Sequence, residues 1–207
     1  MYLAAGASKR MFIPKLRMEL APGKKLGSFA LEAMRANKRI GSISVVVKEQ
    51  DVREERSWLP DDEADDPSLR IVPCPDAAYG MSYSLRAGLS DVLAAEVHPD
   101  AIIIALADQP FITPDLIDGL IQTYQDDRRL DFVACAGDAI AVPPVLFAPS
   151  MYKALSELEG DAGARKLLSS PRYRGEVVQA SSGLMLLDID TRQDFEEARR
   201  CCAGLIK

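Results

Sequence analysis

Acidic residues follow two aliphatic segments at points where a strand would end. Asp108 follows the run Ile102 to Ala107, and Asp188 and Asp190 follow Leu184 to Leu187. In open α/β folds the carboxyl ends of the strands form the edge of the sheet where ligands bind. Carboxylates there suit Mg²⁺, a hard ion that takes one or two of them together with substrate phosphates. A lone strand-end Asp also serves as a turn or helix cap, so both interpretations stay open for each residue.

A glycine and a group of cations follow the first aliphatic segment. Gly6 comes directly after Tyr2 to Ala5, and Arg10 and Lys15 follow within ten residues. A glycine at this point lets the backbone turn tightly, and nearby amides and cations could cradle a polyphosphate. The spacing matches neither the P-loop nor the dinucleotide-binding glycine pattern. An ordinary strand-to-helix turn with surface cations is therefore an equal alternative.

The elements that must position these residues alternate along the chain. Short aliphatic runs and amphipathic stretches predict β-α-β units around a mostly parallel, buried sheet. The predicted strands are Tyr2 to Ala5, Ile43 to Val47, Leu69 to Val72, Ile102 to Leu106, Phe132 to Ala136, Glu176 to Gln179 and Leu184 to Leu187. Helical spacing of apolar residues predicts helices over Leu26 to Asn37 and Leu85 to Val92.

Capping signals predict where two further helices begin. Thr113 followed by Pro114 and Asp115 offers an N-cap, a proline at the first helical position and an acidic first turn. Thr191 and Asp194 have the spacing of a capping box. We therefore expect one helix after Thr113 and a last helix after Thr191.

Composition narrows the class of protein. The chain has 207 residues, of which 48% are hydrophobic, and its formal net charge is −6. These values predict a single globular domain over 1–207, with no general affinity for nucleic acid or anionic membranes. The apolar runs are too short to span a membrane and no secretory signal is present, so we expect a cytoplasmic protein. Four cysteines without paired spacing, together with a single histidine, argue against a zinc site.

Five sequence blocks occur in an order that resembles one enzyme family. They are LAAGASKRM with a following PK, then YGMSYSLRAGL, ALADQPFIT, LEGDAGARKLL and LDIDTRQD. In this order they resemble the molybdenum cofactor cytidylyltransferases, which are MobA-like NTP transferases. The resemblance implies a single Rossmann-like domain of the GT-A type, built as a three-layer sandwich around a mostly parallel sheet. It also implies that a nucleoside triphosphate and Mg²⁺ bind at the carboxyl edge of that sheet.

The same resemblance assigns roles to individual residues. Leu3, Ala4, Ala5 and Gly6 would line the nucleotide, with Arg10 and Lys15 on its phosphates. Ala5 stands where guanylyltransferases of the superfamily carry glycine, which favours CTP over GTP. Asp108 corresponds to the principal metal ligand, and Asp190, with Asp188 as the less secure choice, corresponds to the second acidic position.

The block with Ser82 and Ser84 resembles a segment of the family that contacts the nucleotide base. A helix-capping role is an equal alternative for these two serines, because both hydroxyls lie near the expected start of a helix.

The implied reaction is cytidylyl transfer from CTP to the terminal phosphate of molybdopterin or molybdenum cofactor, with release of pyrophosphate. Arg10, Lys15 and Asp108 would be its catalytic residues, and a molybdenum hydroxylase such as xanthine dehydrogenase would receive the product. The chain departs from the family pattern in two places: Phe12 stands where the family has glycine, and Val142-Pro143 stands where the family has Gly-His before a proline.

These departures leave three alternatives open. The chain could belong to an accessory branch linked to purine catabolism and xanthine dehydrogenase. It could be a non-catalytic protein that binds and delivers the cofactor. It could also transfer a nucleotide to another phosphorylated acceptor.

Overall fold

Alternating strands and helices build an α/β architecture in the computed structural model, which describes residues 1–6, 11, 13–48, 58–59, 66–137, 140–160 and 163–205. Seven strands of this part of the chain form one sheet, and two more form a small hairpin. The strands of the sheet are β1 (Tyr2–Leu3), β4 (Ile43–Lys48), β5 (Leu69–Cys74), β6 (Ile102–Leu106), β7 (Phe132–Gly137), β8 (Ile140–Phe147) and β9 (Gly175–Gln179). The hairpin strands are β2 (Glu19–Ala21) and β3 (Lys24–Lys25).

The sheet has the order β5-β4-β1-β6-β8-β7-β9. Strand β1 is parallel to both of its neighbours, β4 and β6, and the pairs β4–β5 and β7–β9 are also parallel. Strand β8 is antiparallel to β6 and to β7. The prediction of a mostly parallel sheet is therefore confirmed.

Helices cover both faces of the sheet. They are α1 (Phe29–Ala36), α2 (Met81–Leu93), α3 (Pro114–Asp126), α4 (Tyr152–Ser156), α5 (Arg165–Leu168) and α6 (Arg192–Leu205). Buried side chains of α1, α3 and α6 share one core cluster, whereas those of α2 and α4 belong to a second cluster. No helix in the described part of the chain combines the length and the apolar character needed to cross a membrane.

Alternation along the central strands produces these two clusters. In β6, Ile103 and Ala105 pack in the first cluster, whereas Ile102 and Ile104 pack in the second. Successive side chains of a strand point to opposite faces, so a sheet buried on both sides needs a continuous apolar run. The result is the expected three-layer sandwich.

Two details of the predicted elements are wrong. Leu184 to Leu187 is not a strand, because Gly183–Leu186 forms a 3₁₀ turn that begins with the Ser182 hydroxyl accepting from the Leu184 amide at 3.2 Å. Strand β8 is absent from the prediction because Pro143 and Pro144 interrupt its apolar run. The ladder to β7 steps from Val142 to Val145, so the two prolines stand in an irregularity where no ladder bond is needed.

Candidate functional site

The loop after β1 and the loop after β6 leave the sheet side by side at its carboxyl edge. Leu3 pairs with Leu106, and the Ala107 amide continues the ladder by donating to the Leu3 carbonyl at 3.1 Å. Ala4 and Ala5 are buried beyond the end of β1, while Gly6 is exposed. The predicted nucleotide loop therefore begins beside the strand that leads to Asp108.

Lys15 lies in the 3₁₀ turn Lys15–Arg17, and only 7% of its surface is exposed. Its ammonium group donates to the Asp108 Oδ2 at 2.7 Å and to the Ile189 carbonyl at 2.7 Å. The Asp190 Oδ1 lies 3.3 Å from the same nitrogen. We call this arrangement of Lys15, Asp108, Asp190 and the Ile189 carbonyl the oxygen cage. It brings together four residues that are up to 175 positions apart in the sequence.

Local hydrogen bonds fix the two acidic segments of the cage. The Ile189 amide donates to the Asp108 carbonyl at 2.9 Å, which ties the segment before α6 to the end of β6. The carboxylate of Asp194 accepts from the amides of Asp190 and Thr191, and the Thr191 hydroxyl accepts from the Asp194 amide. The predicted capping box is therefore present, and it holds the backbone of Asp190 at the start of α6.

The site combines a glycine loop with an acidic strand end. A comparison with known protein families matches most of the chain. Residues 1–177 match the model of the MobA-like NTP transferase domain. The chain belongs to this family. It is accordingly a nucleotidyltransferase, and the resemblance seen in the sequence blocks is confirmed.

Individual relatives of this MobA-like transferase agree with the assignment. The chain is similar to the purine catabolism protein PucB of Bacillus subtilis (strain 168), with 30% identity over 205 residues, 96% of this chain and 94% of the relative.

Among solved structures, its fold resembles that of a homologue of Mycobacterium tuberculosis Rv0371c from Mycobacterium sp. strain JC1. The TM-score is 0.79 and the identity 24%, covering 99% of this chain and 96% of the other. The manganese complex of Rv0371c from Mycobacterium tuberculosis H37Rv has a TM-score of 0.69 and 22% identity, with 96% of each chain covered. The molybdopterin-guanine dinucleotide biosynthesis protein A of Archaeoglobus fulgidus has a TM-score of 0.70 and 16% identity, with 98% of this chain and 97% of that chain covered.

The two predicted metal ligands of the transferase do share a cation, and that cation is the Lys15 ammonium. Among the described residues, no group of three or more acidic, histidine or cysteine side chains is arranged to hold a metal ion. Asp108 and Asp190 nevertheless supply oxygens to one cation, which is the donor chemistry that Mg²⁺ and Mn²⁺ prefer. The cage therefore fits a hard divalent ion in its donor type.

Asp188 stands next to the cage on the segment that supplies Ile189. Desolvation raises the pKa of its carboxyl group to about 6, and the negative charges of Asp108 and Asp190 act in the same direction. A hydrogen bond with Gln109 and the charge of Lys15 oppose this rise. Sequence reasoning missed Gln109, although it directly follows Asp108. Its side-chain amide also donates to the Pro143 carbonyl at 3.3 Å, so it links β8 to the acidic segment.

The remaining predicted residues either have no recorded contact with the cage or lie beyond the described part of the chain. Ser82 and Ser84 are both buried on α2. Ser84 is hydrogen-bonded to the Cys74 thiol, whereas the Ser82 hydroxyl has no hydrogen-bond partner among the described residues. Neither hydroxyl caps α2, whose N-cap residue is Gly80 with φ at 136°, a value that favours glycine. Arg10 and Phe12 lie outside the described residues.

Proposed function

We propose that this transferase moves CMP from CTP to the terminal phosphate of molybdopterin or molybdenum cofactor and releases pyrophosphate. The oxygen cage carries the proposal, because a buried cation and two carboxylates meet beside the loop that follows β1. The reaction would serve the maturation of a molybdenum hydroxylase such as xanthine dehydrogenase. The proposal treats 1–207 as one catalytic domain that works in the cytoplasm, where CTP is available.

The chemistry needs positioning and charge neutralisation more than it needs a general base. The attacking group is a phosphate that is already anionic at neutral pH, so no proton has to be removed from it. Lys15 would bind the phosphates of CTP and stabilise the charge that develops on the departing pyrophosphate. Arg10 would act beside it, a role that rests on the resemblance of the LAAGASKRM block. Leu3, Ala4, Ala5 and Gly6 would line the nucleotide.

A magnesium ion is the proposed cofactor. Asp108 and Asp190 would hold it, with Asp188 as a neighbouring carboxylate, because these side chains supply the oxygen donors that the ion prefers. When bound, Mg²⁺ would neutralise phosphate charge on the nucleotide. Support for a divalent ion comes from the donor chemistry of the cage and from the manganese complex of the mycobacterial structure.

The acceptor and the base are the finer parts of the proposal. The acceptor is supported by the similarity to a purine catabolism protein and by the likeness in fold to a molybdopterin-guanine dinucleotide biosynthesis protein. The preference for CTP is supported by Ala5, which is buried at the end of β1 where the related guanylyltransferases carry glycine.

Pyrophosphate release from purified protein with Mg²⁺ and molybdenum cofactor tests the proposal. We expect release with CTP and little with GTP, ATP or UTP, and we expect the variant Ala5→Gly to use GTP better relative to CTP. The exposed variant Arg174→Ala serves as a control that keeps the wild-type preference. Binding of CTP without turnover would instead support the non-catalytic accessory role, and turnover only with another phosphorylated acceptor would replace the acceptor.

A further inference from the structure

The Lys15 ammonium group is surrounded by oxygen atoms that a metal ion would also use. Its partners include a carboxylate oxygen of Asp108, a carboxylate oxygen of Asp190 and the carbonyl oxygen of Ile189, at 2.7, 3.3 and 2.7 Å. The side chain of Lys15 is only 8% exposed, so these protein oxygens replace most of its hydration. A buried ammonium group is stable only when such partners are present.

A divalent ion on the same carboxylates would lie close to this ammonium group. Two positive charges a few ångströms apart repel each other strongly where water is largely excluded. The two carboxylates cannot neutralise the ammonium group and the divalent ion at the same time. Lys15, however, has a flexible stem of four carbons, so its ammonium group can move to another anion while its backbone stays in the turn.

We propose that Lys15 and the divalent ion compete for Asp108 and Asp190, and that the nucleoside triphosphate relieves this competition by drawing Lys15 onto its phosphates. Without nucleotide, the ammonium group occupies the cation position and the protein holds metal weakly. With nucleotide, the phosphates become the anionic partner of Lys15 and the carboxylates become available to the ion. Metal and nucleotide therefore strengthen each other's binding, because such coupling is reciprocal. The inference rests on the metal-binding role of Asp108 and Asp190 in the proposed function.

The test measures Mn²⁺ affinity by electron paramagnetic resonance on chelator-treated protein without nucleotide. In the variant Lys15→Met the ammonium group is gone, and we expect Mn²⁺ to bind roughly tenfold to a hundredfold more tightly than in the wild type. Lys15→Arg keeps the positive charge and should bind Mn²⁺ as weakly as the wild type. Lys24→Met is the matched control, because Lys24 pairs with Glu32 of α1 and its loss removes the same charge outside the cage.

Equal Mn²⁺ affinity in the wild type and Lys15→Met would overturn the inference. Circular dichroism establishes that the variant is folded. If Lys15→Met does not fold, a measurement on the wild-type protein still tests the inference. Its Mn²⁺ affinity, corrected for the ion held by the nucleotide alone, should rise at least about tenfold when a non-hydrolysable CTP analogue is present. An unchanged affinity would then overturn the inference.

Failure of this inference and failure of the proposed function give different results. If wild-type protein releases pyrophosphate from CTP but Lys15→Met gains no Mn²⁺ affinity, the function stands and the competition is refuted. If Lys15→Met gains Mn²⁺ affinity but the wild-type protein turns over no nucleotide, the competition stands and the proposed reaction is refuted. Adding Asp108→Ala to Lys15→Met should remove the gained site, and a gain that survives this change would refute competition at these carboxylates.

Discussion

Two carboxylates of this protein are equally exposed and both are paired with cations, but only one of them is paired with a buried cation. The side chains of Asp108 in the oxygen cage and Asp127 at the end of α3 are both 23% exposed. The cation of Asp108 is Lys15, at 8% exposure, whereas Asp127 is paired with Arg129 and Arg174, at 76% and 56%. We call Asp127, Arg129 and Arg174 the surface cluster.

The burial of the cation is therefore what separates the two regions. In the surface cluster, water competes with the ion pairs, so each pair contributes little to stability. Hydrogen bonds from Arg129 lower the pKa of Asp127 to about 2, which keeps the cluster charged over the whole working range of pH. In the cage, Lys15 has exchanged water for protein oxygens, and a new anion such as a phosphate can replace them. The comparison teaches that the two regions differ in the burial of the cation and not in the burial of the acid.

The largest effect is expected from Asp108→Ala. We expect turnover to fall by roughly 10²- to 10³-fold while the protein stays folded, because the proposed principal metal ligand is lost. Steady-state pyrophosphate release and circular dichroism measure the two properties. The counterpart Asp127→Ala should retain turnover within about twofold, since exposed ion pairs contribute little. Wild-type turnover in Asp108→Ala would refute the metal assignment.

Lys15→Ala should weaken both CTP binding and turnover, the latter by roughly 10²-fold, because it removes a cation from the phosphates. It should also lower the free energy of unfolding by about 2 kcal/mol in the absence of metal, since two carboxylates lose their counter-ion. Calorimetric titration with CTP and urea denaturation report the two effects. Unchanged CTP affinity would show that Lys15 does not bind the phosphates.

Asp188→Asn should change how stability depends on pH in metal-free protein. Folding raises the pKa of Asp188 from 3.8 to about 6, so folding favours the neutral carboxyl group. The associated stability is complete below pH 3.8 and is lost as the pH rises through 6. The amide variant is neutral throughout, and it should gain about 1 kcal/mol relative to wild type between pH 4 and pH 7, a value reduced for solvent screening. Urea denaturation in the presence of a chelator measures the difference in the free energy of unfolding between Asp188→Asn and the wild type. A difference that stays constant from pH 4 to pH 7 would show that folding does not raise the pKa of Asp188.

The smallest effect is expected from Arg174→Ala in the surface cluster. Its guanidinium group is largely in water, so we expect a shift in Tm below about 2 °C and a still smaller shift in high salt. Thermal unfolding at two salt concentrations provides the measurement. A large, salt-independent loss of stability would show that cation burial is not what distinguishes the two regions.

The sequence predicted most of the sheet because its strands are buried on both faces. Continuous apolar runs such as Ile102 to Leu106 and Ile43 to Val47 leave few alternatives. Strand β8 was not predicted because two consecutive prolines, Pro143 and Pro144, are typical of the end of a strand. In the structure the irregular ladder to β7 accommodates both prolines. Leu184 to Leu187 is equally apolar, but the turn that starts at Ser182 makes it a 3₁₀ segment.

The sequence also predicted that Asp108 and Asp190 would converge at the carboxyl edge of the sheet, and the family resemblance placed Lys15 on the phosphates there. The convergence is present although the segment before Asp190 is a 3₁₀ turn and not a strand. The sequence did not predict that the lysine would bind the acids directly. That contact depends on the 3₁₀ turn of Lys15 and on the carbonyl of Ile189, and a backbone oxygen leaves no signal in a list of residue types.

The bond between the Ile189 amide and the Asp108 carbonyl has a consequence for synthesis of the chain. During translation Lys15 emerges long before the segment that supplies Ile189 and Asp190. The match to the family domain itself ends at residue 177, before that segment. A nascent chain can therefore assemble strands of the sheet while its cation-binding centre is still incomplete. The contact between Lys15 and Ile189 joins residues 174 positions apart, so the cage can close only after nearly the whole chain has been synthesised.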